Sequence, residues 1–192
     1  VRDFGDAVER AIEQAGPFYA IVSHSFGALA TLLKLADAKH LQPQKLVALA
    51  PMIDIDQHLN LFNGLLNTSP EVDRVLRSMI QSRVGRPLAQ CSAIAAARSI
   101  PVSSLIIHDR WDKIIPFDSG LQLASAWEEA IFLATEKLGH RRMLLSPHVA
   151  EAIVAFLGER ESSIVQLDAA PRALAVPRPL PGRLGFGMPS IN

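Results

Sequence analysis

Residues 18–27 read Phe-Tyr-Ala-Ile-Val-Ser-His-Ser-Phe-Gly and place Ser25 between two apolar segments. The segment before it, residues 18–22, is aromatic and β-branched, which predicts a short buried strand. The segment after it, residues 28–39, has neither glycine nor proline and repeats leucine at helical spacing, which predicts a helix. A serine on so tight a strand-to-helix turn is held in a strained backbone conformation with its hydroxyl exposed. This pattern is typical of a nucleophile elbow.

Small side chains flank the serine, because Ser23 and Gly27 lie two residues before and two residues after Ser25. We expect them to let the strand and the helix approach each other closely. A serine hydroxyl is a poor nucleophile unless a histidine takes its proton and a carboxylate orients that histidine. An elbow of this type predicts both partners further along the chain, with the acid before the histidine.

Two later segments carry such groups in that order. An apolar run at residues 102–107 predicts a strand, and the segment His-Asp-Arg-Trp-Asp follows it at residues 108–112. A third run at residues 130–135 predicts another strand, and a loop after it carries His140 directly behind Gly139. A last helix is expected to open at Ser146-Pro147, with the serine as its cap and the proline in its first turn.

These three segments resemble the α/β-hydrolase superfamily, in its serine esterase, lipase and aminopeptidase-like branch. Residues 23–27 are similar to the family's elbow, with Ser23 in place of the usual first glycine. Residues 108–116 resemble its acid loop, usually His-Gly-x-x-Asp-x-x-Val-Pro, with Asp109 in place of the glycine. Residues 138–140 resemble its histidine loop.

The resemblance covers roughly residues 1–160 and implies a partial α/β-hydrolase fold, with a mostly parallel sheet flanked by helices and a helical cap insertion. It implies that Ser25 is the nucleophile, Asp112 the acid and His140 the general base. The backbone N–H of Phe26 is implied as one oxyanion-hole donor. A second donor is expected from an early loop in a missing N-terminal part. The reaction implied is cleavage of a carboxylic ester or related acyl bond through an acyl-enzyme.

Other residues compete for these roles. Asp109 is the nearest rival of Asp112 and is alternatively a cap of the loop. Asp54 is a more distant rival, because it follows the preceding strand, where some family members carry the acid. His24 lies inside the elbow and is expected to point away from the reaction, and His148 on the last helix is expected to be structural or solvated.

Metal and cofactor chemistry have little support in the sequence. We expect no metal and no cofactor, because there is no His-Glu-x-x-His motif, no paired cysteine spacing and no glycine-rich phosphate loop after a strand. A metal bound by His108, Asp109 and Asp112 is the alternative. The single cysteine, Cys91, excludes an internal disulfide, and we interpret it as a small buried side chain within a helix.

Composition agrees with a globular domain of the cytosolic type but decides little about function. Hydrophobic residues make up 49% of the 192 residues, which is enough for a sizeable core. Nineteen basic and nineteen acidic side chains cancel, which argues against binding of nucleic acid or of anionic membranes. The sequence contains no signal peptide and no apolar run long enough for a membrane span, so we expect a cytoplasmic protein.

The chain divides into three parts. Residues 1–53 and 101–160 are expected to form the hydrolase core, and the half-sheet is expected to leave an apolar edge exposed. The core is expected to begin with a helix over residues 3–15, whose apolar face carries Phe4, Val8, Ala11, Ile12 and Ala15. Residues 54–100 predict a cap of three helices, over residues 55–66, 70–84 and 88–98. Most of the cap's apolar side chains are expected to pack it on the core, and the remainder favour an apolar acyl or alkyl substrate group. Residues 161–192, rich in proline and glycine, predict a flexible tail.

Two other functions are compatible with the same residues. One is a catalytically incompetent fragment, in which the catalytic side chains are present without a complete oxyanion hole. The other is a non-enzymatic scaffold of the same fold that binds a small apolar ligand under the cap. Esterase activity that depends on Ser25 would argue against both.

Overall fold

The structure is a computed structural model that describes residues 2–128 and 130–158. In this part of the chain one sheet is formed by parallel strands in the order β1-β2-β3-β4. The strands are β1 (Ala20–His24), β2 (Lys45–Leu49), β3 (Ser103–Asp109) and β4 (Ala130–Thr135).

Helices connect and cover the strands. They are α1 (Arg2–Ala15), α2 (Phe26–Asp37), α3 (Ile55–Leu66), α4 (Pro70–Val84), α5 (Ala93–Ala97), α6 (Phe117–Ala126), α7 (Gly139–Arg142) and α8 (Pro147–Leu157), with short 3-10 turns at Lys39–Leu41, Leu88–Gln90 and Met143–Leu145. The predicted α/β class with a parallel sheet flanked by helices is therefore confirmed.

The sheet has an apolar core on each face, because successive side chains of a strand point to opposite sides. On one face Leu46 and Ile106 pack with α1, α2, α5 and α6. On the other face Val47 and Ile107 pack with α8, whose Phe156 is fully buried. The result is a three-layer arrangement that brings the carboxyl ends of all four strands to one edge.

β1 lies at the edge of the sheet. Within the described residues it pairs with β2 alone, and Val22 in its centre is 50% exposed. The prediction of a buried strand is therefore wrong at Val22, Tyr19 and Phe18, which are all exposed. The expected exposure of an apolar edge agrees with these side chains.

The segment 54–100 contains the first two predicted helices at the predicted bounds, as α3 and α4. The third predicted helix is interrupted, because the side chain of Ser92 accepts a hydrogen bond from the N–H of Ala95 and starts α5 there. Cys91 therefore lies between a 3-10 turn and α5, and the prediction that it lies within a helix is wrong. It is fully buried, as expected. The assignment of this segment as a cap stays a prediction.

Most large apolar side chains of α3 and α4 face outward, contrary to the expectation that they pack on the core. Leu59 is buried, whereas Leu65 is 84% exposed. The other exposed members of this set are Leu61, Phe62, Leu66, Val72, Val75 and Met79.

Three local predictions also need correction. In α1, Ile12 is buried and Phe4 is 58% exposed, so the apolar face is narrower than predicted. His140 lies on the short helix α7 and not in a loop. Ser146 precedes α8, but its side chain makes no capping hydrogen bond. The predicted tail, residues 161–192, lies outside the described residues.

Across residues 2–128 and 130–158, none of the helices has both the length and the apolar character needed to cross a membrane.

Candidate active site

Ser25 connects β1 to α2 in a strained conformation, with φ of 56° and ψ of −126°. Such a backbone persists only where surrounding contacts fix it. The N–H of Ser25 donates to the carbonyl of Leu49 at 2.9 Å. Its carbonyl accepts from the N–H groups of Ala28 at 3.1 Å and Met52 at 3.2 Å. Because the Ser25 side chain forms no capping bond to α2, its hydroxyl remains available for the site.

The expected packing role of Gly27 is not found. A Cβ atom at this position would meet no atom within 4 Å among the described residues. Ser23 is half-buried, and its hydroxyl donates to the carbonyl of Val47 on the neighbouring strand at 3.1 Å. Strand and helix therefore meet without needing a small side chain at Gly27.

His140 bridges the serine and a carboxylate. Its Nε2 lies 3.0 Å from Oγ of Ser25, and its Nδ1 lies 2.7 Å from Oδ2 of Asp112. Because an ionised carboxylate only accepts hydrogen bonds, Nδ1 carries the proton in the neutral ring. Nε2 is then the acceptor for the Ser25 hydroxyl. The structure thus brings together the three side chains that the sequence singled out, the first and last of which are 115 residues apart.

The Asp112 carboxylate is completely buried. Its Oδ1 accepts from the N–H groups of Ile114 at 2.8 Å and Ile115 at 2.9 Å. Burial opposes ionisation, but hydrogen bonds from His108, the two backbone N–H groups and His140 outweigh it and hold the pKa of Asp112 well below its usual range. Asp112 is therefore a charged acceptor for His140 at neutral pH.

His108 also contacts this carboxylate, whereas the sequence suggested for it only an alternative role as a metal ligand. Its Nε2 lies 3.3 Å from Oδ2 of Asp112 and 3.2 Å from the carbonyl of Ile115. Because both neighbours are acceptors, Nε2 carries the proton of the neutral ring and Nδ1 has only a lone pair. Nδ1 is buried and has no hydrogen-bond partner among the described residues. The motif contains this histidine, but only the tertiary packing shows that it reaches the acid.

The two rival acids, Asp109 and Asp54, accept hydrogen bonds from other groups. Asp109 accepts hydrogen bonds from one donor in the loop after β3, from one at the end of β4 and from two directly before His140. Asp54 accepts from the N–H of Gln57 at 3.0 Å and so caps α3. The structure therefore places Asp112, and neither rival, on the ring of His140.

His24 contacts His140, contrary to the expectation that it points away. Its Nε2 donates to the His140 carbonyl at 3.0 Å, and the two ring centroids are 4.6 Å apart. Burial is the main cause of the lowered pKa of His24, followed by opposing effects of the His140 carbonyl and of nearby charges. A neutral His24 suits this position, because its Nε2–H donates to a carbonyl.

A small cleft, about 10 Å³ in volume, lies between α3 and the residues that follow Asp112. Its lining includes Met52, His58, Leu61 and Ile115. Nδ1 of His58 is buried and has no hydrogen-bond partner in the part of the chain that the structure describes. Burial, together with the nearby His140, lowers the pKa of His58. The sequence around His58 has polar neighbours but does not indicate that this side chain lies near His140.

The N-terminus of α2 faces the same region. Phe26 is the first residue of α2, and the first N–H groups of a helix have no partner within the helix. The ring of Phe26 packs edge-on against Phe4 of α1, with centroids 5.3 Å apart. Within residues 2–128 and 130–158, no group of three or more His, Cys, Asp or Glu side chains could hold a metal ion.

Comparison with known proteins identifies the fold. No protein-family model and no curated protein matches this sequence. Among solved structures, an α/β-hydrolase enzyme from the metagenome of sediments of the Mar Chica lagoon, Morocco, is similar with a TM-score of 0.61 at 12% identity, covering 83% of this chain and 70% of that chain.

Two further hydrolases give similar matches. A variant of the meta-cleavage product hydrolase CumD, an enzyme of Pseudomonas fluorescens IP01, has a TM-score of 0.56 at 15% identity, covering 83% of this chain and 72% of that chain. A serine hydrolase involved in carbazole degradation has a TM-score of 0.55 at 16% identity, covering 83% and 70%. The chain has the α/β-hydrolase fold.

Proposed function

We propose that this chain is a serine hydrolase that cleaves a carboxylic ester or a related acyl bond. Ser25 is the nucleophile, His140 the general base and Asp112 the acid that orients the base. The observation that carries the proposal is the unbroken hydrogen-bonded series from Ser25 Oγ through His140 to Asp112, at 3.0 Å and 2.7 Å. A serine, a histidine and a carboxylate in this order form the arrangement that activates a hydroxyl for acyl transfer.

The reaction begins when the Ser25 hydroxyl transfers its proton to Nε2 of His140 and its oxygen forms a bond to the substrate carbonyl carbon. Asp112 stabilises the imidazolium, because its carboxylate is buried and charged beside Nδ1. The backbone N–H of Phe26 donates to the tetrahedral oxyanion. The alkoxide then leaves with the proton from His140, and water hydrolyses the acyl-enzyme by the same steps in reverse.

The proposed substrate is a small molecule with an apolar acyl or alkyl group. The nearby cleft has a volume of only about 10 Å³, about that of one water molecule, and therefore does not enclose such a group. Met52, Ile53, Leu61 and Ile115 line this cleft, and apolar side chains so near the proposed base favour an apolar substrate group. The cytoplasmic location stays a prediction.

The experiment that tests this proposal is intact-mass analysis after treatment with a fluorophosphonate probe. The activated Ser25 oxygen forms a bond to phosphorus and fluoride leaves, which adds one phosphonyl group to the chain. Ser25→Ala is expected to abolish the adduct. Ser23→Ala is the matched control, since this serine lies in the same elbow and its hydroxyl is bonded to Val47. Equal labelling of the wild-type chain and the Ser25→Ala variant, or no labelling of either, would refute the proposal.

A further inference from the structure

Asp109 has an unusual set of partners for a side chain at the end of a strand. It is the last residue of β3 and is completely buried. Its Oδ1 accepts from the N–H groups of Trp111 and Gly139, both at 2.9 Å. Its Oδ2 accepts from the hydroxyl of Thr135 at 2.9 Å and from the N–H of Leu138 at 3.0 Å. These donors fill the acceptor positions of an ionised carboxylate.

Three of the four donors are backbone N–H groups in the two segments that carry the proposed acid and base. Trp111 directly precedes Asp112, and Gly139 directly precedes His140. One oxygen of Asp109 therefore joins the backbone next to the acid to the backbone next to the base. The other oxygen joins the end of β4, through Thr135, to the same turn.

The turn that presents His140 needs such support. Lys137 and Gly139 both have left-handed backbone conformations, with φ of 66° and 65°. A left-handed conformation at a non-glycine residue is costly and persists only where neighbouring contacts fix it. The Asp109 carboxylate binds the N–H groups of the two residues that follow Lys137, which fixes the path of the turn into His140.

We propose that Asp109 is a positioning residue for the proposed hydrolase reaction, and the inference rests on that proposed function. Asp109 holds the loop of Asp112 and the turn of His140 in one register, so that Nδ1 of His140 meets the acid at 2.7 Å while Nε2 meets Ser25 at 3.0 Å. It acts through backbone contacts and does not touch the reacting atoms. A base displaced by about an ångström loses about a hundredfold in rate.

The test compares Asp109→Asn with Thr135→Val. In the asparagine variant the amide NH₂ faces at least one backbone N–H, because each carboxylate oxygen accepts from one. Thr135→Val removes one side-chain donor and keeps the backbone bonds to Leu138 and Gly139. Hydrolysis of p-nitrophenyl acetate is measured per Ser25 titrated with fluorophosphonate. We expect kcat of Asp109→Asn to fall about ten- to a hundredfold with KM unchanged, and Thr135→Val to stay close to wild type.

A purely structural role would give a different result. It would lower the fraction of chains that can be titrated while leaving kcat per titrated site unchanged, and that outcome would overturn the proposal. The low-field proton resonance of the His140–Asp112 hydrogen bond gives a second measurement that needs no turnover. We expect this resonance to shift or disappear in Asp109→Asn and to persist in Thr135→Val, and an unchanged resonance in Asp109→Asn would also overturn it.

Two controls keep the inference separate from the proposed function. Should the wild-type chain fail to react with fluorophosphonate, the proposed function fails, yet the proton resonance still reports whether Asp109 positions His140. Should Asp109→Asn fail to fold, hydrogen exchange of the wild-type chain decides. We expect the Leu138 and Gly139 amides to be strongly protected, and exchange at the rate of an open loop would contradict the proposal.

Discussion

Gly120 lies directly against the ring of His108, so that a Cβ atom at position 120 would be 2.7 Å from Nδ1 and 2.9 Å from Cβ of His108. The glycine is in α6, where its small size lets the helix approach the end of β3. His108 in turn lies 3.3 Å from the Asp112 carboxylate. The packing of α6 therefore affects the position of Asp112, the acid of the proposed catalytic triad.

We predict that Gly120→Ala destabilises the fold and slows Ser25 labelling. The added methyl group overlaps a fully buried ring, and overpacking of this kind costs about 1–3 kcal/mol. Displacement of His108 also weakens its contact with Asp112. Urea unfolding and the rate of fluorophosphonate labelling measure the two effects.

Gly64→Ala is the matched control, because Gly64 also lies within a helix and a Cβ atom there would meet nothing within 4 Å. In that setting alanine is favoured over glycine by about 0.5–1 kcal/mol. We expect Gly64→Ala to be stabilising and to leave labelling unchanged. A Gly120→Ala variant as stable and as reactive as Gly64→Ala would contradict the assigned packing.

Asp112→Asn is predicted to lower hydrolysis by about 10⁴-fold. The amide no longer requires the proton of His140 to be on Nδ1, so the ring can adopt the tautomer that cannot accept the Ser25 proton. Asp118→Asn, at an exposed position of α6, is the control and is expected to retain activity. Initial rates with p-nitrophenyl acetate measure both variants, and a loss of tenfold or less in Asp112→Asn would exclude the assigned role.

The same carboxylate is predicted to stabilise the fold in a pH-dependent way. The pKa of Asp112 in the folded chain lies below its ordinary value of 3.8, so the unfolded state binds the proton more readily. The stabilisation by Asp112 is therefore complete above pH 3.8 and is lost as the pH falls through the pKa of Asp112 in the folded chain. We expect the difference in unfolding free energy between wild type and Asp112→Asn to shrink as the pH falls below about 4. A difference that is constant from neutral to acid pH would contradict this.

The sequence alone predicted the parallel sheet and located the segments that carry Ser25, Asp112 and His140. Alternating or continuous apolar runs predict strands well when both faces are buried, and all five residues of β2 are buried. β1 is less well predicted, because the run 18–22 is as apolar as an inner strand although Val22 is 50% exposed.

The supporting contacts could not be predicted from sequence. The roles of His108 and His24 depend on neighbours 7 and 116 residues away, Ile115 and His140, whose approach is decided by tertiary packing. The interruption at Cys91 shows a local limit, because Ser92 competes with helix continuation through its own capping bond. Asp109 could be named from its motif position, but the identity of its four donors required the fold.

His24 is predicted to make the fold less stable as the pH falls below neutral. Burial lowers its pKa from 6.5 in the folded chain, so the unfolded state binds a proton first. His24 therefore does not destabilise the fold above pH 6.5, and the unfolding free energy declines as the pH falls from 6.5 toward the pKa of His24 in the folded chain. His58, whose pKa is also lowered, adds to the same decline.

His24→Asn separates the two histidines. An asparagine amide can still donate toward the His140 carbonyl but does not titrate in this range. We expect the variant to lose part of the decline in unfolding free energy that the wild type shows between about pH 8 and pH 5. Urea unfolding at a series of pH values measures the slope. If His24→Asn shows the same decline of unfolding free energy with pH as the wild type, His24 is not the cause of that decline.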